Sequence, residues 1–386
     1  SRDAAATTTA FVRQAGIYTG AHEAHLNAYQ LFVERSLQLL SPTGRLGMVV
    51  PWGLLADQGA GATRVALFDR CRIDAVVGFD NRRGVFAIHR SVRFALVTAA
   101  AGGRTDRVPA RFGERTTDGI ERVPATGCAP SDFPLVFTRE SLLDLSGPSR
   151  ALPHVESRED LAVLERLSAA FPALSSADGW GLTFGREFNA TDDAALFNGN
   201  RHQWPVIEGK HIAPFSVDAA AATLFVDPAV VRARLGRIPT IGHDRLAYRD
   251  VASSTNRLTL IAAIVPAQAV TTHTLFCSRV RLDADAQWVV CALLNSLVAN
   301  WLVRRWVSTH VTTAIVQRLP VPVVPASDRA FGELARLARR CADDGVGSAT
   351  WTALQEATRR AYGLGDDAWQ HVRKDFAWLP GGPGRR

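Results

Sequence analysis

Residues 26–51 read LNAYQLFVERSLQLLSPTGRLGMVVP. Leu26, Tyr29, Phe32, Val33, Leu37 and Leu40 recur at three and four positions, the spacing of a helix buried on one face. Ser41-Pro42-Thr43-Gly44 is a turn that stops this helix. Arg45 to Pro51 is then a short apolar run closed by proline, which predicts a buried parallel strand. Working outward, Ala62 to Arg70 predicts a second helix and Ile73 to Phe79 another buried strand. A polar turn at Asp80 to Gly84 follows, and Val92 to Ala99 predicts a third strand. Helix and strand alternating at this spacing point to βαβ units and an α/β sheet.

Downstream the pattern changes. Gly102 to Pro134 is polar and rich in turn residues, so the first domain is expected to end there, near residue 125. Ser157 to Phe171 reads as a helix with Leu161, Leu164 and Leu167 on one side. Trp180 to Leu282 is irregular, with short strand-like runs at Ala222 to Val226 and Leu258 to Val265. Trp288 to Arg305 reads as one apolar helix. Leu319-Pro320-Val321-Pro322 breaks the chain, because each proline disfavours helix in the residue before it. Arg329 to Cys341 and Ala349 to Tyr362 predict a helical tail ending at Gly363. The expected division is therefore residues 1–125, 126–325 and 326–386. There is no internal repeat, and the only biased tract is Pro380 to Arg386.

The chain has 386 residues, 47% hydrophobic and 21% charged, which excludes global disorder and gives room for two domains and a small extra module. The net charge is +7, compatible with an anionic partner without requiring one. Arginine supplies nearly all the positive charge, since the only lysines are Lys210 and Lys374. That leaves a surface of forked donors suited to phosphate and to guanine. Cys71, Cys128, Cys277, Cys291 and Cys341 lie far apart, which gives neither a disulfide framework nor a zinc site and points to a reducing cytoplasm. The first forty residues show no basic start followed by an apolar stretch, so no secretory signal is expected. The apolar run Trp288 to Val303 is interrupted by Asn295, Ser296 and Asn300, and reads as a buried helix instead of a membrane span. The chain opens with Ser1, and Met48 is its only methionine; either removal of an initiator or a missing N-terminal region accounts for this.

Three motifs carry chemistry in principle. Gly59-Ala60-Gly61, with Asp80 nineteen positions after Gly61, resembles a dinucleotide fingerprint. The third glycine is missing and the pair lies well beyond Pro51, so a loop before a helix is expected. Glu208-Gly209-Lys210 has the spacing of nuclease metal sites, but no suitably placed aspartate supports it, and it reads as a turn. Phe86 stands in the loop between two buried strands. On pattern alone it caps the core; the other reading is a stacking platform for a planar ligand, with Arg82 and Arg83 near it for phosphates.

Taken in order, these segments resemble the C-terminal half of a gamma-class N6-adenine DNA methyltransferase, of the type IIG restriction–modification and BREX phage-exclusion kind. Asn27 to Arg35, through Gly44 to Pro51, is similar to the helix and strand after that family's catalytic loop. Residues 79–94, FDNRRGVFAIHRSVRF, resemble its last two strands and the loop between them. Residues 180–197, WGLTFGREFNATDDAALF, and Pro205 to Lys210 resemble the opening of its target-recognition region. Tyr248-Arg249-Asp250 and Ser254 to Thr259 resemble the core of that region, and Leu294-Asn295-Ser296 with Leu319 to Pro322 its closing elements.

The resemblance implies an α/β fold: the C-terminal part of a Rossmann-like methyltransferase sheet, then a mixed α/β target recognition domain and a short helical tail. It implies double-stranded DNA as partner and S-adenosylmethionine as cofactor. The family holds that cofactor on a glycine-rich turn and positions adenine with an Asn-Pro-Pro-aromatic loop. This sequence has no Pro-Pro dipeptide and no credible glycine loop before its first helix. No catalytic or cofactor-binding residue is therefore assigned within it, and the chain alone is expected not to methylate without a missing N-terminal region or partner chain. The resemblance moves Phe86 from core cap toward a platform for the flipped base. Arg82, Arg83, Lys210, His211, Arg249, Asn256 and Arg257 become candidate DNA contacts, Arg suiting guanine and Asn adenine. Two other readings stay open: a non-catalytic DNA-specificity subunit acting with a separate methyltransferase chain, and an unrelated nucleotide-binding α/β enzyme using Gly59, Gly61 and Asp80.

Overall fold

A computed structural model describes residues 7, 10–12, 14–18, 27–121, 133–307, 310–376 and 378–379. Ser1, Leu26, Cys128 and Pro380 to Arg386 lie outside the described residues. The chain divides into two units, Ser1–Glu165 and Arg166–Arg386.

In the first unit, helix α1 (Ala28–Leu39) leads into strand β1 (Arg45–Pro51); helix α2 (Gly61–Arg70) then leads into β2 (Cys71–Asp80). Strands β3 (Arg93–Ala101), β4 (Arg107–Glu114) and β5 (Leu135–Thr138) follow, with helix α3 (Arg139–Ser146) after them. The five strands form one sheet in the order β1-β3-β2-β4-β5. β3 is antiparallel to both β1 and β2, β2 is parallel to β4, and β4 is antiparallel to β5. The sheet is therefore mixed, not the parallel one expected. β1 and β2 run the same way, as a helical crossover requires, but β3 has inserted antiparallel between them.

Central position explains the composition of β2, buried along nearly its whole length. Gly78 is required there, because a Cβ would lie 2.6 Å from the Trp52 ring and 2.8 Å from that of Phe112. β1 differs from the buried strand expected. It occupies a sheet edge, and alternate residues including Val49 are exposed. The first unit also runs past the expected boundary at residue 125. β4 and β5 belong to its sheet, and helix α4 (Arg158–Ala170) carries the division after Glu165. A capping box between Thr138 and Ser141 starts α3 directly from β5.

The second unit contains short strands. β6 (Phe184–Gly185), β11 (Arg245–Arg249), β12 (Ala262–Val265) and β14 (Leu275–Ser278) form a sheet in the order β12-β11-β14-β6. β7 (Trp204–Ile207), β10 (Phe225–Val226) and β13 (Val270–Thr271) form another in the order β10-β7-β13, and β8 (Ile212–Ala213) pairs with β9 (Ser216–Val217). Helix α5 (Pro228–Leu235) adds Val231 and Leu235 to the core of Phe188, Val206, Val226 and Val270. A bidentate ion pair holds the two sheets' connections inside: Arg245 meets Glu187 at 2.7 and 2.8 Å, with both side chains almost wholly enclosed.

The apolar segment expected as one helix is two, α6 (Ala284–Leu294) and α7 (Leu297–Arg304), bent by 56°. Asn295 and Ser296 cause the break. The Asn295 side chain accepts from Ala262 N at 3.0 Å and donates to Ala262 O at 2.8 Å, and Ser296 caps α7 through Ala299 N. Asn300 likewise accepts from Thr259 N and Leu260 N at 2.7 and 2.9 Å. The three polar residues thus satisfy buried backbone that would otherwise lack partners. Among the described residues no single helix is long and apolar enough to cross a membrane; the bent pair passes by length and composition, yet its side chains are buried within the protein.

Helices α8 (Arg329–Asp344), α9 (Ala349–Ala361) and α10 (Asp366–Lys374) pack with α6 and α7, so the tail belongs to the second unit's core. α10 was not expected, since Gly363 reads as a final stop. Cys71, Cys277, Cys291 and Cys341 are free and buried.

Candidate nucleic-acid interface

In the first unit, β2 ends at Asp80 and the chain turns through a 3-10 turn, Asn81–Arg83, to Gly84, whose φ of 73° is the left-handed conformation glycine tolerates. Asp80 holds the turn: its Oδ1 accepts from Arg82 N at 3.2 Å and its Oδ2 pairs with Arg82 Nε at 2.9 Å. Asn81 is completely buried, and its carboxamide shapes the loop beyond. Nδ2 donates to Phe86 O and Ile88 O at 3.0 and 3.2 Å, while Oδ1 accepts from Phe86 N at 2.8 Å.

The loop so held presents Phe86, which is 48% exposed. Its ring lies 5.4 Å from Phe94, which stacks at 4.8 Å on buried Phe79. Phe86 is thus the outer member of an aromatic row, anchored on one side and open to solvent on the other. Arg82, Arg83, His89 and Arg90 around it are exposed. An aromatic face among cationic donors can stack a base and hold phosphates. The loop also exposes Ile88 and Val92.

The glycine pair has no such geometry. Gln58–Ala60 is a 3-10 turn, and Gly61 is the first residue of α2 with helical φ of −55°. Gly59 offers its carbonyl to the Gln30 side chain at 3.2 Å, and Asp80 serves the Arg82 turn. These residues do not form a phosphate cradle.

In the second unit the expected contacts separate. Lys210 is exposed and pairs with Glu208 at 2.7 Å, within the 3-10 turn Gly209–His211. His211 is buried, and its Nδ1 accepts from Glu208 N at 3.0 Å. Burial pushes its pKa down, and Glu208 partly opposes that. This is a cap internal to the turn, so the DNA contact expected of His211 gives way to a structural role. Asn256 is also turned inward: its Oδ1 accepts from Ser253 N and Oγ at 3.1 and 2.8 Å. Arg257 is exposed, with its guanidinium 4.0 Å over the Trp378 ring. The backbone of Asn256 and Arg257 is gripped by Arg304, whose Nη2 donates to both carbonyls at 2.6 and 3.2 Å. Arg249 is half-buried, its Nε has no hydrogen-bond partner among the described residues, and burial pushes its pKa down.

Beside Arg249 lies a group that sequence inspection missed. Asp250 is 3% exposed, and its Oδ2 meets Arg186 Nη2 at 3.2 Å and His310 Nδ1 at 3.3 Å. Arg186 also lies 4.9 Å over the Phe276 ring. These residues are spread from 186 to 310, so no local spacing could have announced them. Asn81 was missed for another reason: in sequence it is an ordinary turn residue. Among the described residues no three His, Cys, Asp or Glu side chains gather as a metal site.

Residues 9–86 match the Eco57I restriction-modification methylase family. The matched segment contains α1, β1, α2, β2 and the turn after it, and its last residue is Phe86. No curated protein matches the sequence. Among solved structures, the type IIG restriction endonuclease BpuSI is 12% identical, over 94% of this chain and 51% of that one, with a TM-score of 0.38. The type IIL restriction-modification enzyme MmeI in complex with DNA is 10% identical, over 96% of this chain and 52% of that one, with a TM-score of 0.47. The M protein of the type I restriction enzyme EcoKI is 22% identical over 33% of this chain and 27% of that one, with a TM-score of 0.21. The chain spans about half the length of the first two structures.

Proposed function

We propose that this chain is the DNA-recognition and partial catalytic portion of an adenine-specific DNA methyltransferase in a restriction–modification or phage-defence system. The observation that carries this reading is an exposed, backbone-positioned Phe86 at the end of a segment matching a restriction-modification methylase family. An enzyme that modifies a paired base must take it out of the stack, which leaves an extruded base needing an aromatic face. Phe86 supplies that face, with Arg83 placed for a neighbouring phosphate and Arg82, paired with Asp80, placed as a donor beside it. The second unit reads sequence from the major groove.

S-adenosylmethionine is the family's methyl donor, and the residues of this chain do not fit it. The only glycine pair near a strand–helix junction is helical and packed, and the Asn-Pro-Pro-aromatic motif is absent from the sequence. A region bearing both motifs, in the same protein or in a partner chain, holds the cofactor. The outer edge of β1 supports this: it has no partner strand among the described residues, and Val49 on that strand is 51% exposed. A free edge beside apolar surface is where a sheet continues.

The test is methyl transfer from labelled S-adenosylmethionine to duplex DNA, with the chain alone and joined to a region carrying the two motifs. Transfer to adenine N6 by the joined protein only is the expected outcome. Robust methylation by the 386-residue chain alone, or transfer only to cytosine, overturns the reading.

A further inference from the structure

We propose that Arg186, held by Asp250 and Phe276, reads a guanine edge in the DNA that this protein recognises. The proposal rests on the DNA-binding reading above and adds the residue and the base.

The backbone carrying Arg186 is fixed on both sides. Phe184 is buried against Tyr248, ring to ring at 5.0 Å, and Glu187 is locked to Arg245 at 2.7 Å. Arg279 covers Gly185, where a Cβ would meet its guanidinium at 2.5 Å, and it donates to the Arg186 carbonyl. The Arg186 side chain is then fixed twice more, by its stack on Phe276 and its bond to Asp250. The Asp250 backbone is itself held, its N–H donating to Thr274 O at 2.9 Å and its carbonyl accepting from Val311 N at 2.7 Å. Yet the Arg186 side chain keeps 52% of its surface exposed. A long, flexible residue is thus held as a rigid fork at the surface, with its ordering entropy largely lost before any ligand arrives.

Charge decides what such a fork suits. Phosphate binding draws on counterion release, which needs uncompensated cations. Arg186 and buried Asp250 together carry no net charge, so they release little. What remains is a set of oriented N–H donors, and a planar fork of donors matches the O6 and N7 acceptors of guanine. The buried carboxylate that makes Arg186 a poor phosphate ligand also aims it.

The purified 386-residue chain is first used to select its preferred duplex from a random library. Arg186→Ala, Arg186→Lys and Asp250→Asn are then compared on that duplex and on versions substituted at each guanine. Arg186→Ala should lose about ten- to a hundredfold in affinity and its preference at one guanine, with the slope against salt unchanged. Arg186→Lys should not restore the preference, because lysine keeps the charge but not the fork. Asp250→Asn should weaken that preference and steepen the salt slope by about 0.9, since Arg186 gains an uncompensated charge. Unchanged melting and circular dichroism establish that each variant is folded; if Asp250→Asn melts lower, the two Arg186 variants decide the matter. A uniform loss across all duplexes with a flatter slope makes Arg186 a phosphate contact and overturns the proposal. No change in binding overturns it as well. If the wild-type chain binds no duplex at low salt, the DNA reading itself fails, and this proposal with it.

Discussion

The wholly buried Asn81 carboxamide bonds the backbone of Phe86 twice, accepting from its N–H at 2.8 Å and donating to its carbonyl at 3.0 Å. With the further bond to Ile88 O, one side chain sets the path of the loop that presents the exposed ring.

Asn81→Ala leaves buried loop backbone without partners, so it should cost about 1–3 kcal/mol in urea unfolding. Amide exchange across residues 84–88 should accelerate more than across β2. Asn81→Asp should not rescue the loop, because a carboxylate cannot donate the two bonds Nδ2 makes. Exchange identical to wild type in Asn81→Ala would remove Asn81 from the positioning role.

Phe86 and Phe94 should behave differently although their rings touch. Phe94 is 6% exposed, and Phe94→Ala should destabilise by about 3–5 kcal/mol. Phe86→Ala, losing one half-open aromatic contact, should cost about 1 kcal/mol. In the protein joined to its cofactor-binding region, Phe86→Ala should slow methylation about ten- to a hundredfold while Phe86→Trp retains most activity. Base exposure, followed with 2-aminopurine at the target adenine, should fall in parallel. A variant that melts much lower yet flips and methylates normally would make Phe86 a packing residue only.

Binding to duplex DNA should weaken steeply with salt, because each neutralised phosphate releases counterions. Replacing Arg83 by alanine should flatten the slope of log affinity against log salt by about 0.9, whereas Arg82→Ala should change it less, because Arg82 is paired with Asp80 at 2.9 Å. Binding that is flat between low and moderate salt contradicts the phosphate role of this loop.

Arg257 stacks at 4.0 Å on Trp378, so Arg257→Ala should remove a cation–π contact worth about 0.5–1 kcal/mol. The environment of Trp378 should change, measured as the difference in tryptophan emission between Arg257→Ala and the same change in a Trp378→Phe background. Relaxed sequence choice without that emission difference would return Arg257 to base reading.

Glu187→Gln leaves Arg245 charged and enclosed, and should cost about 3–5 kcal/mol in chemical denaturation. Replacing both residues by methionine should recover much of that loss, since no buried charge remains. Equal destabilisation in the single and double variants would mean that the pair's other hydrogen bonds, to Thr271 and Ala269, dominate.

The sequence alone determined the alternation of elements in the first unit. Each is short and locally signalled: α1 by a one-sided apolar period, β1 and β2 by apolar runs between turns, and Phe86 by its place after Asp80 to Gly84. It also marked Asn295 and Ser296 as foreign to an apolar helix. Tertiary structure decided everything that depends on who sits beside whom. An apolar run such as Arg45 to Pro51 reads the same at an edge as at a centre, because strand propensity carries no information about neighbours. The insertion of β3, antiparallel, between β1 and β2 is a pairing choice made between segments far apart in sequence. His211, Asn256 and Arg257 are all polar groups suited to DNA, and only packing turned the first two inward and laid the third on Trp378. Arg186, Asp250, Phe276 and His310 are four unremarkable residues until the sheet of β6, β11 and β14 brings them together. A fixed fork of donors is a property of that assembled contact, and no spacing along the chain encodes it.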